Sequence, residues 1–233
     1  MLDIQKIRAI TLDLDDTLWP IWPTIQRAEE VLLGWLTTHA PATAALYATP
    51  AALRKIREQM VLLRPDLQHD LSALRRESIR LALQQAGDDA ALAEPAFEVF
   101  FDARQQVNLF ADVRPALDRL AARYPLVALS NGNADVVRVG LGAFFAASVS
   151  AHDFGVPKPD VRIFHAAAQT VPVAPEEVLH IGDDVTMDVL GALDAGMQAV
   201  WVNRDGKAWM HTGPQTPHAT VAELGALCDL LAA

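Results

Sequence analysis

Two aspartates two residues apart, Asp13 and Asp15, close an apolar run in the segment Asp13-Leu14-Asp15-Asp16-Thr17-Leu18. In extended backbone, side chains two apart point to the same side. Paired carboxylates repel, so a site holds them only with a cation, a shared proton or full solvation. An exposed strand-to-loop cap, for which aspartate is common, also accounts for the pair. Ser130-Asn131-Gly132-Asn133 offers a hydroxyl, backbone amides and a glycine that can hold phosphate oxygens, or plain caps for a following helix, the reading preferred for Asn133. Lys158 stands between Pro157 and Pro159, which pre-set its direction, although most lysines are solvated surface charges. Gly182-Asp183-Asp184-Val185-Thr186-Met187-Asp188 supplies carboxylates for a hard, oxygen-loving cation such as magnesium. Helix capping by Asp184 explains one of these acids but not three.

Three of the clusters directly follow a short apolar run that reads as a buried strand: 7–14 (IRAITLDL), 126–130 (LVALS) and 178–182 (VLHIG), with a further strand at 198–203 (QAVWVN). Helical patterns are expected at 114–124, 134–141, 160–170, 187–195 and 221–231. Strands alternating with helices predict an α/β fold, a doubly wound and mainly parallel sheet. In such sheets, ligands gather at the carboxyl ends of strands, where all four clusters fall. Residues 20–108 break the rhythm with helical segments near 23–39, 51–63, 69–86 and 89–107, punctuated by Pro41, Pro50, Pro65 and Gly87. The expected organisation is a core of 1–19 and 109–233 with an inserted all-α cap at 20–108. Residues 211–220 read as a surface loop.

The 233 residues are 52% hydrophobic and 21% charged, an ordinary globular balance, with a net charge of −10. So acidic a chain is a poor partner for nucleic acid or anionic membranes. The longest stretch without formal charge, Val31 to Leu53, holds Pro41, Pro50 and four threonines, unsuited to a bilayer span. A single cysteine, Cys228, forms no internal disulfide or zinc site and reads as a small apolar residue of the last helix. With no export pattern in MLDIQKIRAITLDL, a cytoplasmic protein is expected, a monomer or homodimer.

Together the four clusters resemble the haloacid dehalogenase (HAD) superfamily in its phosphatase branch with a helical cap: DxDxT at 13–17, Ser130, Lys158, and GDxxxxD at 182–188. The resemblance implies a Rossmann-like core and magnesium as cofactor. It makes Asp13 the nucleophile that forms an aspartyl-phosphate and Asp15 the acid and base. Ser130 and the amides of Asp16 and Asn131 would bind phosphate oxygens, and Lys158 would offset charge. Magnesium would take Asp13, the Asp15 carbonyl, Asp183 and, directly or through water, Asp188. Thr17 would steady the loop, and Asp184 falls between metal shell and helix cap. Because Asp15 is present, dehalogenation is disfavoured. A phosphomutase of the same superfamily and an idle scaffold that binds a ligand or partner are the alternatives. Within the branch, LDLDDTLW, LSNGN and HIGDDVTMDVLGALDAGMQAVWVN are most similar to bacterial flavin-pathway phosphatases, which act on FMN and the ribitylamino-uracil phosphate precursor of riboflavin.

The expected partner is therefore a small phosphorylated metabolite. Within 54–80, seven basic residues (Arg54, Lys55, Arg57, Arg64, Arg75, Arg76, Arg80) face four acids, a local excess of +3 that could draw anions, or simply solvated helix faces. Trp19 and Trp22 offer rings for substrate stacking or for packing between cap and core, and Trp35 reads as cap interior. No histidine is given a role.

Overall fold

The computed structural model describes residues 1–232. The chain forms two compact units, Met1–Pro20 with the chain from Asn108 onward, and Ile21–Val107. In the first, six strands make one all-parallel sheet: β1 (Ala9–Leu12), β2 (Leu126–Ser130), β3 (Ala147–Ser150), β4 (Val178–Gly182), β5 (Gln198–Val202) and β6 (Ala219–Val221). Their order is β3-β2-β1-β4-β5-β6, so the winding reverses between β1 and β4. That reversal opens the crevice in which α/β sheets bind ligands. Thr11 of β1 pairs with Val127 on one side and His180 on the other, which brings the ends of β1, β2 and β4 level.

Strands β1, β2, β4 and β5 are buried along their whole length, the mark of a sheet covered on both faces. One apolar cluster packs Ala9, Val127, Leu129, Val178 and Trp201 of the sheet against Ile163, Phe164 and Ala167. The last three belong to a helix at Val161–Thr170, capped by the Asp160 carboxylate on the Arg162 N–H at 3.0 Å. The other helices of this unit are Val113–Ala121, Ala151–Phe154, Gly191–Asp194 and Leu224–Ala232. Cys228 is buried in the last of these.

Two edge strands escaped the sequence pattern. β3 and β6 are four and three residues long and half-exposed, so neither shows an apolar run, and β6 overlaps the expected loop. The helix expected at 134–141 is instead a series of turns, with Val139 N–H donating to Asp135 O at 2.9 Å and Leu141 N–H to Val136 O at 2.8 Å. The capping role expected of Asn133 falls to Asp135, whose Oδ1 accepts from the N–H groups of Val137 and Arg138 at 2.8 and 3.2 Å.

The second unit is wholly helical: α1 (Ile21–His39), α2 (Pro41–Leu46), α3 (Pro50–Leu63), α4 (Leu71–Ala86) and α5 (Ala93–Arg104). Proline begins α2 and α3, where its missing N–H costs nothing. Asp70 caps α4 at one end, and Gly87 closes it in a left-handed turn at φ 83°. Ala28, Leu32 and Leu36 recur every fourth residue of α1 and pack with Ile56, Ile79, Leu83, Phe97 and Phe100. Trp35 borders this cluster, stacked on His39 at 4.2 Å.

One acid is sealed in this helical interior. Glu29, fully buried, meets Arg54 at 2.6 Å and Arg75 at 3.4 Å. Arg76 and Arg80 pair with Glu94 at 3.1 and 3.2 Å. Acids outside 54–80 thus neutralise much of the expected +3 excess. Trp22 is exposed, and the Arg54 guanidinium lies 4.4 Å over its ring. Among the described residues, no helix is long and apolar enough to cross a membrane.

Candidate active site

The site begins where β1 ends. Asp13 N–H donates to Ile181 O of the neighbouring strand at 2.9 Å, which fixes its backbone. The chain then turns sharply. Leu18 N–H reaches back to Leu14 O at 2.8 Å, and Asp16 N–H donates to Trp19 O at 2.7 Å. Asp16 takes a left-handed conformation, φ 60°, which a short polar side chain tolerates better than most. The same turn delivers the Trp19 indole N–H to Asp15 Oδ1 at 2.8 Å and the Thr17 hydroxyl to Asp183 Oδ1 at 3.0 Å. Arg204, just beyond β5, donates to Thr17 O at 2.9 Å and clasps Asp112 through two nitrogens at 3.0 and 3.1 Å.

Lys158 is the hub. Its Nζ lies 2.6 Å from Asp13 Oδ1 and 2.5 Å from Asp188 Oδ1, with the side chain buried. Its main chain is clamped by the Asn131 side chain. Asn131 Oδ1 accepts from Lys158 N–H at 2.7 Å and Nδ2 donates to Lys158 O at 3.0 Å. Ser130, at the end of β2, is buried, and its Oγ accepts from Gly132 N–H at 2.9 Å.

Asp188 enters from a single π-helical stretch, Val185–Leu190, that leads into the helix at Gly191–Asp194. A continuous helix from 187 is expected; the structure instead has this wider turn, which carries the buried Asp188. Oδ1 of Asp188 contacts Lys158 and His180 Nε2, the latter at 3.2 Å, and Oδ2 accepts from Asp184 N–H at 3.0 Å. The carboxylate lies directly on Gly182, where any added Cβ would overlap it. Asp184 is a helix cap, its Oδ1 accepting from Thr186 and Met187 N–H at 2.8 and 2.7 Å.

Asp13, Lys158, Asp183 and Asp188, scattered in sequence, therefore converge. Carboxylate oxygens of the three aspartates lie within 4.8 Å of one another. Asp15 is turned to Trp19, and Ser130 and Asn131 lie at the end of the adjoining strand. One expectation needs correction: Asp16 N–H, expected on a phosphate oxygen, donates to Trp19 O inside the turn. Trp19 is fully buried and offers no ring face for stacking.

His180 was missed. It is buried in β4 between Thr11 Oγ1, at 2.8 Å from Nδ1, and Asp188. A carboxylate only accepts, so Nε2 carries the proton and Nδ1 accepts from the hydroxyl. The available signal was a lone polar residue in an otherwise apolar strand. Nothing local marked the Asn131 clamp or Arg204, whose partners lie far away in sequence.

The sequence pattern of the haloacid dehalogenase-like hydrolases matches residues 7–196. The chain belongs to that family. It is 33% identical over 234 residues to the 5-amino-6-(5-phospho-D-ribitylamino)uracil phosphatase YigB of Escherichia coli K12, covering 98% of both chains. It is 27% identical over 241 residues to the human N-acylneuraminate-9-phosphatase, covering 97% of this chain and 95% of that one. Among solved structures, a 2-haloacid dehalogenase from Pseudomonas syringae pv. tomato DC3000 superposes with a TM-score of 0.88 at 39% identity, covering 97% and 98%.

In this HAD-like hydrolase the site is short of positive charge. Burial pushes the Asp13 carboxyl well above its ordinary range, against the pull of Lys158, and the Asp188 and Asp183 charges push it further. Burial, aided by Asp188, raises Asp183 to about 7. Asp188 goes the other way: burial opposes its charge, but Lys158 and His180 outweigh burial and hold it low. Lys158 is raised despite burial by Asp13 and Asp188, so it stays an ammonium. Burial lowers His180, which stays neutral. Three clustered carboxylates with one cation and two raised acids are what a hard divalent ion would relieve, so the donor set fits magnesium. Both oxygens of Asp188 already accept protein donors, which suits contact through water better than direct ligation.

Proposed function

We propose that the chain hydrolyses the phosphomonoester of a small metabolite through an aspartyl-phosphate on Asp13, with magnesium as cofactor. The observation that carries this reading is Asp13 held by Lys158 at 2.6 Å, with a second carboxylate, Asp15, two residues on. Displacing halide from carbon needs no proton donor, whereas expelling an alkoxide from phosphorus does. Asp15 therefore favours phosphoryl chemistry, in line with the phosphatases among its relatives.

An Asp13 oxygen attacks phosphorus, the bond from phosphorus to the ester oxygen breaks, and Asp15 gives its proton to that oxygen. Water then attacks the phosphorus of the aspartyl-phosphate. Asp15 takes the water's proton, and the bond to Asp13 breaks, restoring the carboxylate and releasing phosphate. Lys158 offsets charge on Asp13 and on the incoming phosphoryl group. The Ser130 hydroxyl and the Asn131 N–H bind its non-bridging oxygens. The Asp13 and Asp183 carboxylates and the Asp15 carbonyl would hold magnesium, with Asp188 behind them. When bound, the ion supplies the positive charge that lets an anionic nucleophile approach an anionic phosphate.

The ribitylamino-uracil phosphate of its Escherichia coli relative and FMN are the first substrates to test. The assay is phosphate release from these, sugar phosphates, nucleoside monophosphates and p-nitrophenyl phosphate, with magnesium and with EDTA. Chloride release from 2-chloropropionate runs in parallel, because of the likeness to a 2-haloacid dehalogenase. Magnesium-dependent phosphate release without chloride release is expected. Chloride release alone would overturn the reading.

A further inference from the structure

We propose that Trp19 is a positioning residue for proton transfer, its indole N–H binding Asp15 Oδ1 and so fixing the direction of the carboxyl that exchanges a proton with the leaving group. The inference rests on the phosphatase reading and deepens it. Trp19 Nε1 lies 2.8 Å from Asp15 Oδ1. An indole N–H can donate but not accept, so the oxygen it binds is one that carries no proton.

The donor is held by packing. The Trp19 ring is fully buried, so its N–H has no freedom to follow a moving carboxylate. The main chain ties the same two residues together: Asp15 and Trp19 form a β-bridge, and Trp19 O accepts Asp16 N–H at 2.7 Å. Leu18 N–H to Leu14 O, at 2.8 Å, closes the turn from inside. Asp15 is thus oriented by a rigid loop of five residues that begins and ends on the pair itself. Acid–base catalysis depends on such aim, and small misplacements lower rates steeply.

The test uses the magnesium-loaded enzyme and a series of esters from p-nitrophenyl phosphate to an alkyl phosphate. Trp19→Phe keeps most of the ring and removes the N–H. Incorporating 3-benzothienylalanine at position 19 replaces the N–H by sulfur in a bicycle of nearly the same shape, and decides the matter should the Phe variant not fold. Either change is expected to lower kcat on the alkyl phosphate by about tenfold. On p-nitrophenyl phosphate, whose leaving group needs little protonation, the loss should stay under about threefold, with KM little changed. In an Asp15→Asn background, removing the N–H should do nothing more. Equal losses across the series, or losses that persist in the Asp15→Asn background, would reduce Trp19 to packing. A gain on the alkyl ester would mean that the indole holds Asp15 away from its task, and would also overturn the proposal. If the wild type releases phosphate from no ester, the phosphatase reading itself fails. If wild type and Asp15→Asn show the leaving-group dependence and the position-19 variants do not, only the Trp19 inference fails.

Discussion

Both units of this hydrolase bury an ionic cluster, and the two are unbalanced in opposite directions. In the α/β unit, three carboxylates (Asp13, Asp183, Asp188) share one ammonium, Lys158. In the helical unit, one carboxylate, Glu29, shares two guanidiniums, Arg54 and Arg75. Burial, together with the nearby charge of Arg57, lowers Arg75 to about 10, still far above neutrality. The helical unit's surplus charge reaches solvent through Arg54, whose side chain is 24% exposed, and the planar guanidinium spreads it over Trp22. The surplus in the core is more enclosed, since Asp13 and Asp188 are buried, Asp183 is half-buried and Asp13 is raised. An enclosed surplus of negative charge is what a bound cation would offset. A cluster whose surplus reaches water is complete by itself and serves the fold.

If that contrast is right, Asp13→Asn should abolish turnover, by about 10⁴-fold or more, without lowering the unfolding temperature, because it removes a repelling charge. Phosphate release and thermal unfolding of the purified variant check both halves. Glu29→Gln should do the reverse. It strands a buried Arg75, so urea unfolding should report a loss of about 3–5 kcal/mol. Replacing Glu29 and Arg75 together by apolar residues of similar size should recover most of it.

Magnesium should separate the clusters further. At about 100 times its dissociation constant, it should stabilise the wild type by about 2.7 kcal/mol, and EDTA should reverse this. Asp183→Asn should lose that stabilisation and Glu29→Gln should keep it, as differential scanning calorimetry would show.

The balanced pair of Asp112 with Arg204 gives the smallest effect. Burial alone would raise Asp112, but Arg204 and the Leu224 N–H outweigh it and hold the carboxyl below its ordinary value. A group depressed on folding stabilises above its unfolded pKa of about 3.9, and that contribution is lost as pH falls through the folded value. Asp112→Asn should flatten the acid limb of stability by about 1 kcal/mol, read from urea midpoints between about pH 5 and 2.

Legibility followed the range of the interactions. The central strands could be read because burial on both faces leaves a continuous apolar run, as in LVALS and VLHIG. The edge strands could not, since three or four half-exposed residues carry no pattern. The turns at 134–141 looked helical because local propensity was the available guide, whereas Asp135 caps a turn that ends after Leu141. Asp184 could be weighed as a cap because its partners are two and three residues away.

What the sequence determined by itself was the inventory and its order: Asp13, Asp15, Ser130, Lys158, Asp183 and Asp188, each just after a strand or within reach of one. Residue type and strand position are local properties, and chemistry follows from type. The tertiary structure decided the pairings. His180 meets Thr11 across 169 positions, Asn131 clamps Lys158 across 27, and Lys158 reaches Asp13 across 145. The same holds at short range where a turn must first form, as between Trp19 and Asp15. Such contacts depend on strand register and side-chain direction, which exist only once the sheet has assembled, and they set which acids hold a proton and which carry charge.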